Sequence, residues 1–523
     1  VKRNHFFSLL AVLTFLFCAC ATPPSYWPGE TWRTSSPEEQ GMDSSTITSL
    51  LDTLKTYRIP VHSVLIVKNG YLVTEAYFYP YQRNDRQDIH SCTKSVTSAL
   101  IGIALNEGRI RSLDEKVLGF FPEYKFENPS PWKNEMTIRD LLSMTAGIEW
   151  NEGRYDRNDD STRMLAGDNA IGYCLNKTMA SKPGSVFTYN SGASHTLSAI
   201  LQKETNRKTI DYAREKLFAP LGIDDIFWAT DKQGINFGGG DLLMRPIDMA
   251  KFGYLYLRKG DWNGRQIVPA SWVEDSTKVH VKEPGFGYSY GYQWWIPDTN
   301  NWFEARGYGG QYIMVIPKYD LVIALTSWID NTQAIYLVSQ MKNLIKPLLT
   351  SNEVKKTPDN NSRMLIEKIA EVASPPPPET VPQAPEIAKK ISGRTINTGD
   401  GVSFCFTFGK GNECDAEMYA GGVTTKMKIG LDGVFRMSEA PPILIDGSLF
   451  SGGSRVALKG EWMDKMTFRI YGEELGIFNI EYRFTFTGSD VSVWNAIDYL
   501  NGNLFEQTRK GTLSPPPKVM EGR

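Results

Sequence analysis

The sequence predicts an α/β chain of the α+β kind: helices mixed with antiparallel hairpins in one large domain, then a small all-β domain. Three observations predict it. Two apolar hairpin patterns stand far apart, at 61–78 and 311–329. Helical periodicities lie before, between and after them, and beyond a proline-rich break near residue 375 almost every pattern alternates with period two. The length of 523 residues allows two or three domains. The 41% hydrophobic and 22% charged fractions are those of an ordinary globular protein. A net charge of −2 gives no electrostatic ground for a nucleic-acid partner.

At the N-terminus Lys2 and Arg3 precede the apolar run Phe6 to Phe17, too short to span a bilayer comfortably. Residues 1–20 are therefore expected to be a secretory signal peptide. The stretch LFCACA resembles a bacterial lipoprotein processing site with Cys20 as the lipidated, membrane-attaching residue. The expected location is exported: periplasmic, as an outer-membrane lipoprotein if Cys20 is lipidated. Next, Ile47, Leu50, Leu51 and Leu54 recur at helical spacing, with Asp43 or Ser44 as the cap. Asn69-Gly70 then joins two β-rich runs and is a strong hairpin signal.

The stretch DIHSCTKSVTSALIGIALNEG (88–108) follows. Val96, Ala99, Leu100, Ile103 and Ala104 form one stripe, and Ile101 and Leu105 widen it, so this helix is expected at a domain centre. Residues 109–270 read as helices and long loops. A second hairpin (QYIMVIPKYDLVIALTSWI) and a last helix (TQAIYLVSQMKNLIKPLL) close a domain spanning 30–350. Residues 351–388, with Pro375 to Pro378, read as a proline-rich linker, residues 389–514 as the β-rich domain, and 515–523 as a disordered tail. No internal repeat is found.

Six cysteines make no disulfide scaffold in a chain this long. Cys405 and Cys414 flank a hairpin pattern and could bridge in an oxidising compartment, subject to geometry. Cys92 reads as a small buried hydrophobe. The five histidines are scattered and no Cys/His cluster has metal spacing, so neither a metal nor a cofactor is expected.

Three serine patterns compete for nucleophilic chemistry. Ser91 and Lys94 stand three apart, on one face of the predicted helix, although roughly two or three such matches arise by chance in a chain this long. At a helix N-terminus the Ser91 N–H is free, the dipole favours negative charge, and a buried Lys94 would lose its proton readily. Ser289, in GYSYG, matches a nucleophile elbow. No helix starts after it and no histidine follows His280, so it is set aside. Ser339 and Lys342 lie mid-helix, with no free amides near them.

With Ser91-Cys92-Thr93-Lys94 go further ordered stretches: LDEKVLGFFPEY, TIRDLLSMTAGI, KPGSVFTYNSGASHTLSAIL, GGGDLLMRPIDMAKFGYLYLRKGDWNGRQIVPASWV, YGYQWW and GYGGQY. Over about residues 35–350 the chain resembles the serine β-lactamases of class C and their relatives, the DD-peptidases, EstB-type esterases and 6-aminohexanoate-dimer hydrolases. The resemblance implies a β-lactamase/transpeptidase-like fold, an antiparallel sheet flanked by helices plus a helical subdomain. It implies a serine hydrolase working through an acyl-enzyme, with Ser91 as nucleophile, Lys94 and Tyr189 moving protons, and the N–H groups of Ser91 and Gln311 as oxyanion hole. Gly309 and Gly310 would let the strand backbone approach substrate.

Two departures bear on substrate. Ser191 replaces the family's Asn, and Tyr308 replaces the Lys that holds a β-lactam carboxylate, leaving Arg306 or Arg245 as substitute anchors. The expected substrate is a small ester, amide or peptide handled by an esterase or amidase of the 6-aminohexanoate-dimer-hydrolase kind. The alternatives are a β-lactamase or DD-peptidase, and a non-catalytic penicillin-binding-like ligand-binding protein. The charged loop 149–164 is expected either at the cleft rim or simply in solvent.

Overall fold

The structure, a computed structural model, describes residues 27–28, 31–153, 158–285, 287–297, 302–350, 360–440, 443–445, 448–450, 455–498 and 503–515. The expected export segment with Cys20, and residues 516–523 of the expected tail, lie outside them. No helix among the described residues is long and apolar enough to cross a membrane.

Helix α1 (Ser44–Thr56) starts where Asp43 accepts the Ser45 N–H at 2.8 Å, and it buries Ile47, Leu50, Leu51 and Leu54. Strands β1 (Val61–Lys68) and β2 (Tyr71–Tyr77) pair antiparallel. Between them Asn69 and Gly70 have φ of 53° and 84°, the left-handed geometry that a two-residue hairpin needs. After the short strand β3 (Gln87–Asp88), helix α2 (Thr93–Asn106) is buried from Thr93 to Ala104, as its all-round apolar surface predicts. A Cβ on Gly102 would lie 2.2 Å from the Trp272 ring, so this helix packs too closely for any side chain there.

Helix α3 (Ser191–Thr205), capped by Asn190, packs beside α2 in a mostly helical subdomain. Strands β4 (Phe227–Trp228) and β5 (Leu242–Met244) join β3 in a three-stranded sheet ordered β3-β5-β4. Helix α4 (Pro246–Leu257) precedes six strands: β6 (Val281–Gly285), β7 (Tyr288–Tyr290), β8 (Trp295–Pro297), β9 (Phe303–Gly307), β10 (Gln311–Ile316) and β11 (Leu321–Ser327). With β1 and β2 they form one antiparallel sheet, ordered β2-β1-β11-β10-β9-β8-β7-β6.

Alternation along these strands feeds two cores. Leu65, Val67, Ile313, Val315, Val322 and Ala324 face α2, α4 and the helical subdomain. Val64, Ile66, Tyr312, Met314, Ile323 and Leu325 face α1 and helix α5 (Asn331–Thr350). With both faces covered, each fully buried Leu, Ile or Val contributes about 1.5–3 kcal/mol.

The expected linker 351–388 is corrected in its first half. Residues 351–359 lie outside the described residues, but Asn360–Ala373 forms helix α6, which packs on α1 and β2 and buries Leu365 and Val372 in the second core. Lys368 pairs with Asp52 at 2.8 Å and Lys55 with Glu371 at 2.8 Å. The apolar pair at i and i+7 outweighs the surrounding polar composition. Among the described residues of this stretch, Ser374–Pro385 runs without helix before the short helix Glu386–Ile391.

The β-rich region is a ten-stranded sheet from Thr395–Asn397 to Asn503–Leu513, closed by a parallel bridge between Gly430 and Lys459. Phe404, Phe406, Phe468, Phe484 and Val493 fill this barrel. Cys405 and Cys414 lie in one hairpin but are both free: Cys405 sits opposite Glu417 and Cys414 opposite Phe408. That odd offset turns them to opposite faces, so no bridge forms.

Candidate active site

Ser91 lies in a single 3-10 turn, His90–Cys92, that runs directly into α2. Its neighbour His90 has φ of 45°, held by its N–H donating to the Asp88 carboxylate at 2.7 Å. A non-glycine residue in this conformation costs about 1–2 kcal/mol, placed one residue before the candidate nucleophile.

Lys94, one turn on, is 1% exposed. Its Nζ lies 2.9 Å from Ser91 Oγ, 2.8 Å from Ser191 Oγ and 2.7 Å from the Gly239 carbonyl oxygen. Ser191 Oγ in turn donates to Glu152, whose other carboxylate oxygen takes the Ser191 N–H at 2.7 Å and the Trp150 indole N–H at 2.6 Å. The donor directions follow. The Gly239 carbonyl can only accept, and Ser191, having given its proton to the carboxylate, also accepts from Lys94. A neutral amine has two N–H bonds, and both are thereby used. Its lone pair is left facing the Ser91 hydroxyl.

That neutral state is made accessible near neutral pH by burial, although the ammonium still predominates at pH 7. Burial brings the Lys94 pKa down to about 8, against the opposing charges of Glu152 and Asp241. Burial drives the Tyr189 phenol well above the ordinary tyrosine value, Glu152 adds to the rise, and a hydrogen bond with Ser91 opposes it. Tyr189 therefore stays protonated at neutral pH, with Lys94 Nζ 4.8 Å from its ring centroid. It stands just before Asn190, the extended cap of α3, and so at the N-terminal end of the helix that carries Ser191.

Behind Ser91, burial pushes the Asp88 and Asp241 carboxyls up to about 7, while it holds His90 neutral by lowering its pKa to about 4.

The structure brings most predicted residues together. Gln311 opens β10, and its carbonyl lies 3.5 Å from Cys92 Sγ, so the strand backbone runs beside the Ser91 turn. Gly309 and Gly310 have φ of 74° and 87°, and both carbonyls accept from Ser327 Oγ, at 2.8 and 2.9 Å. A Cβ on Gly310 would fall 2.2 Å from that hydroxyl. Tyr308 stands edge-on to His90, with ring centroids 6.0 Å apart.

Other predicted residues are placed differently. Ser191, expected at the substrate, has its hydroxyl held between Lys94 and Glu152 instead. Arg306 pairs with buried Glu304 at 2.9 Å and lies 4.1 Å over the Tyr288 ring, and Arg245 pairs with Asp224 and Asp248. Both are bound into the protein, which leaves neither as a ready carboxylate anchor. Ser289 sits mid-strand in β7, opposite Ile296. Ser339 and Lys342 are exposed on α5.

Sequence reasoning missed Glu152, Gly239, Asp241 and the aromatic wall of Trp295, on which Tyr189 stacks at 5.9 Å and Tyr290 abuts at 4.8 Å. Glu152 belongs to the charged loop 149–164, of which 154–157 lie outside the described residues. The run Gly238-Gly239-Gly240 was a visible signal. A Cβ on Gly238 would fall 2.3 Å from the Ser194 carbonyl oxygen, so this backbone presses directly on α3. Among the described residues no group of His, Cys, Asp or Glu could hold a metal.

The chain is 26% identical over 291 residues to the 6-aminohexanoate-dimer hydrolase of Paenarthrobacter ureafaciens, covering 51% of this chain and 72% of that protein. It is 25% identical over 187 residues to a D-aminopeptidase of Brucella anthropi, a match covering 33% of that protein. A solved structure from Bacillus anthracis, described as a 6-aminohexanoate-dimer hydrolase candidate, superposes with a TM-score of 0.52 at 26% identity, covering 58% of this chain and 82% of that one. The Beta-lactamase family model matches residues 39–334. That match takes in more than half of the chain, which therefore belongs to the Beta-lactamase family and is a hydrolase of that family.

Proposed function

We propose that this hydrolase cleaves uncharged carboxylic esters or amides through an acyl-enzyme on Ser91. The observation that carries the reading is the set of contacts at Lys94 Nζ, with Ser91 Oγ at 2.9 Å, Ser191 Oγ at 2.8 Å and the Gly239 carbonyl at 2.7 Å. Once the amine is neutral, its two N–H bonds can serve the last two and its lone pair the Ser91 hydroxyl. With a pKa of about 8, about one Lys94 in ten is neutral at pH 7. The Ser91 O–H proton passes to Lys94 Nζ as Oγ bonds the substrate carbonyl carbon. The N–H groups of Ser91 and Gln311 are assigned to the oxyanion. As the bond to the leaving oxygen or nitrogen breaks, Tyr189 gives it a proton and regains one from Lys94. Its high pKa suits a phenol that relays a proton without ever resting as tyrosinate. Water then attacks the ester on Ser91 by the same route and frees the acid.

The wall of Tyr189, Trp295 and Tyr290 supports an apolar group beside the scissile bond. The engagement of Arg306 and Arg245 and the presence of Tyr308 speak against a substrate that needs a carboxylate anchor. In the test, a fluorophosphonate probe labels the full chain at Ser91. Labelling and hydrolysis of p-nitrophenyl butyrate and of short amides vanish in Ser91→Ala and persist in Ser289→Ala. Activity that survives Ser91→Ala overturns the reading.

A further inference from the structure

The turn that carries Ser91 is held from outside its own domain. β3 lies two residues before it, and the Asp88 N–H donates to the carbonyl of Gly476 at 2.8 Å. Gly476 sits in the turn between the barrel strands Thr467–Glu474 and Phe478–Thr487. Asp88 then accepts the His90 N–H, so one run of hydrogen bonds leads from the barrel to the residue before Ser91.

The same small sheet holds Lys94. Gly239, whose carbonyl takes one of its N–H bonds, lies just before β5. Leu243 of β5 forms an apolar cluster with Ile477, Phe478, Ile480 and Ile497 of the barrel, with Phe227 packed against it. Arg455 of the barrel grips buried Asp85 through two bonds of 2.8 and 2.7 Å. At the turn itself the fit is backbone on backbone. Gly476 has φ of 81°, and a Cβ there would fall 2.4 Å from the Arg86 carbonyl oxygen and 2.8 Å from Gln87 Cα.

We infer that the barrel is part of the framework of the active site, and that Gly476 is a positioning residue which fixes Ser91 against Lys94 through β3 and β5. The inference rests on Ser91 being the nucleophile, so its test includes a readout that needs no turnover.

The full chain carrying Gly476→Ala is compared with wild type and with Gly422→Ala. Gly422 has φ of 84° and nothing within 4 Å of its would-be Cβ, so it bears the same backbone strain without touching the catalytic domain. Gly476→Ala is expected to lower kcat for p-nitrophenyl butyrate at least tenfold with KM within twofold. It is also expected to speed amide hydrogen exchange severalfold in peptides covering 86–92. Gly422→Ala does neither. Unchanged exchange and kcat in Gly476→Ala, a change in KM alone, or the same effects from Gly422→Ala would overturn the inference. If wild type hydrolysed nothing, the proposed chemistry would fail while exchange still decided this point. If Gly476→Ala does not fold, Arg455→Met carries the same two expectations and the same refutation.

Discussion

Ser191→Ala tests the orientation of the Lys94 amine most directly. The substitution removes one acceptor from Nζ while the Gly239 carbonyl and the charge of Glu152 remain. A hydrogen bond from an ammonium is worth about 1.5–3 kcal/mol and one from a neutral amine about 0.5–1.5, so the protonated form loses about 1–1.5 kcal/mol more. At 1.36 kcal/mol per unit that lowers the Lys94 pKa by about one unit. The rising limb of kcat/KM for p-nitrophenyl butyrate, expected near 8 in wild type, moves to about 7. The plateau falls in the opposite sense. With one N–H still fixed, the lone pair divides between two staggered positions, and the link to Glu152 is gone, so kcat at high pH drops roughly two- to tenfold. Near pH 7 the two effects largely offset each other; at pH 9 only the loss remains. Profiles from pH 6 to 10 separate them. A limb that stays near 8 or climbs would refute the donor assignment, and a raised KM with kcat intact would return Ser191 to substrate contact.

Lys94→Met should fold, since the site is buried, and lose at least ~10²–10⁴ in kcat, measured on the same ester with circular dichroism as the folding control. Tyr308→Lys should raise turnover of a chromogenic cephalosporin relative to the ester by about ten- to a hundredfold, the worth of one charge-assisted bond to its carboxylate. Wild-type cephalosporin turnover equal to that of the best ester would instead restore the β-lactamase reading. His62 is 5% exposed, bonds Gln87 at 2.7 Å, and burial lowers its pKa to about 4. The unfolded chain takes a proton there below about 6.5 and the folded chain only below about 4, so stability falls by about 3 kcal/mol as pH drops through that window. His62→Phe should be less stable at pH 7 in urea titrations, yet lose less between pH 6.5 and 4.

What could be read from the chain was local. Asp43, Asn69-Gly70 and the stripe on α2 act within a few residues, and their elements stand where the spacing put them. Ser91, Lys94 and Tyr189 were found because a motif and a family resemblance marked them. Their electrostatic partners were not, for a physical reason. Glu152 reaches Ser191 from 39 positions away and Gly239 reaches Lys94 from 145, and neither contact leaves a periodicity or a spacing behind. Helix α6 was hidden because its buried face is narrow and its flanks are rich in proline. Cys405 and Cys414 misled through proximity: hairpin neighbours suggest a bond until register turns them apart. The hold of the barrel on β3 is equally invisible, since Gly476 and Asp88 lie hundreds of residues apart.

The stretch Ser374–Pro385 is a leash between two anchored bodies. Helix α6 is fastened to the large domain on one side, and Glu379 N–H already bonds the barrel at Asp432 with 2.8 Å. As extended polyproline its twelve residues reach at most about 37 Å, at roughly 3.1 Å each. A short tether of this kind keeps the barrel at a local concentration of order millimolar beside its seat on β3 and β5. The contact between the bodies can therefore be weak in isolation and still be almost always made. A single cut in the leash would abolish that advantage and turn a unimolecular docking into a bimolecular one. The nicked protein should then lose its hold on the Ser91 turn on dilution, with every residue of the catalytic site still present.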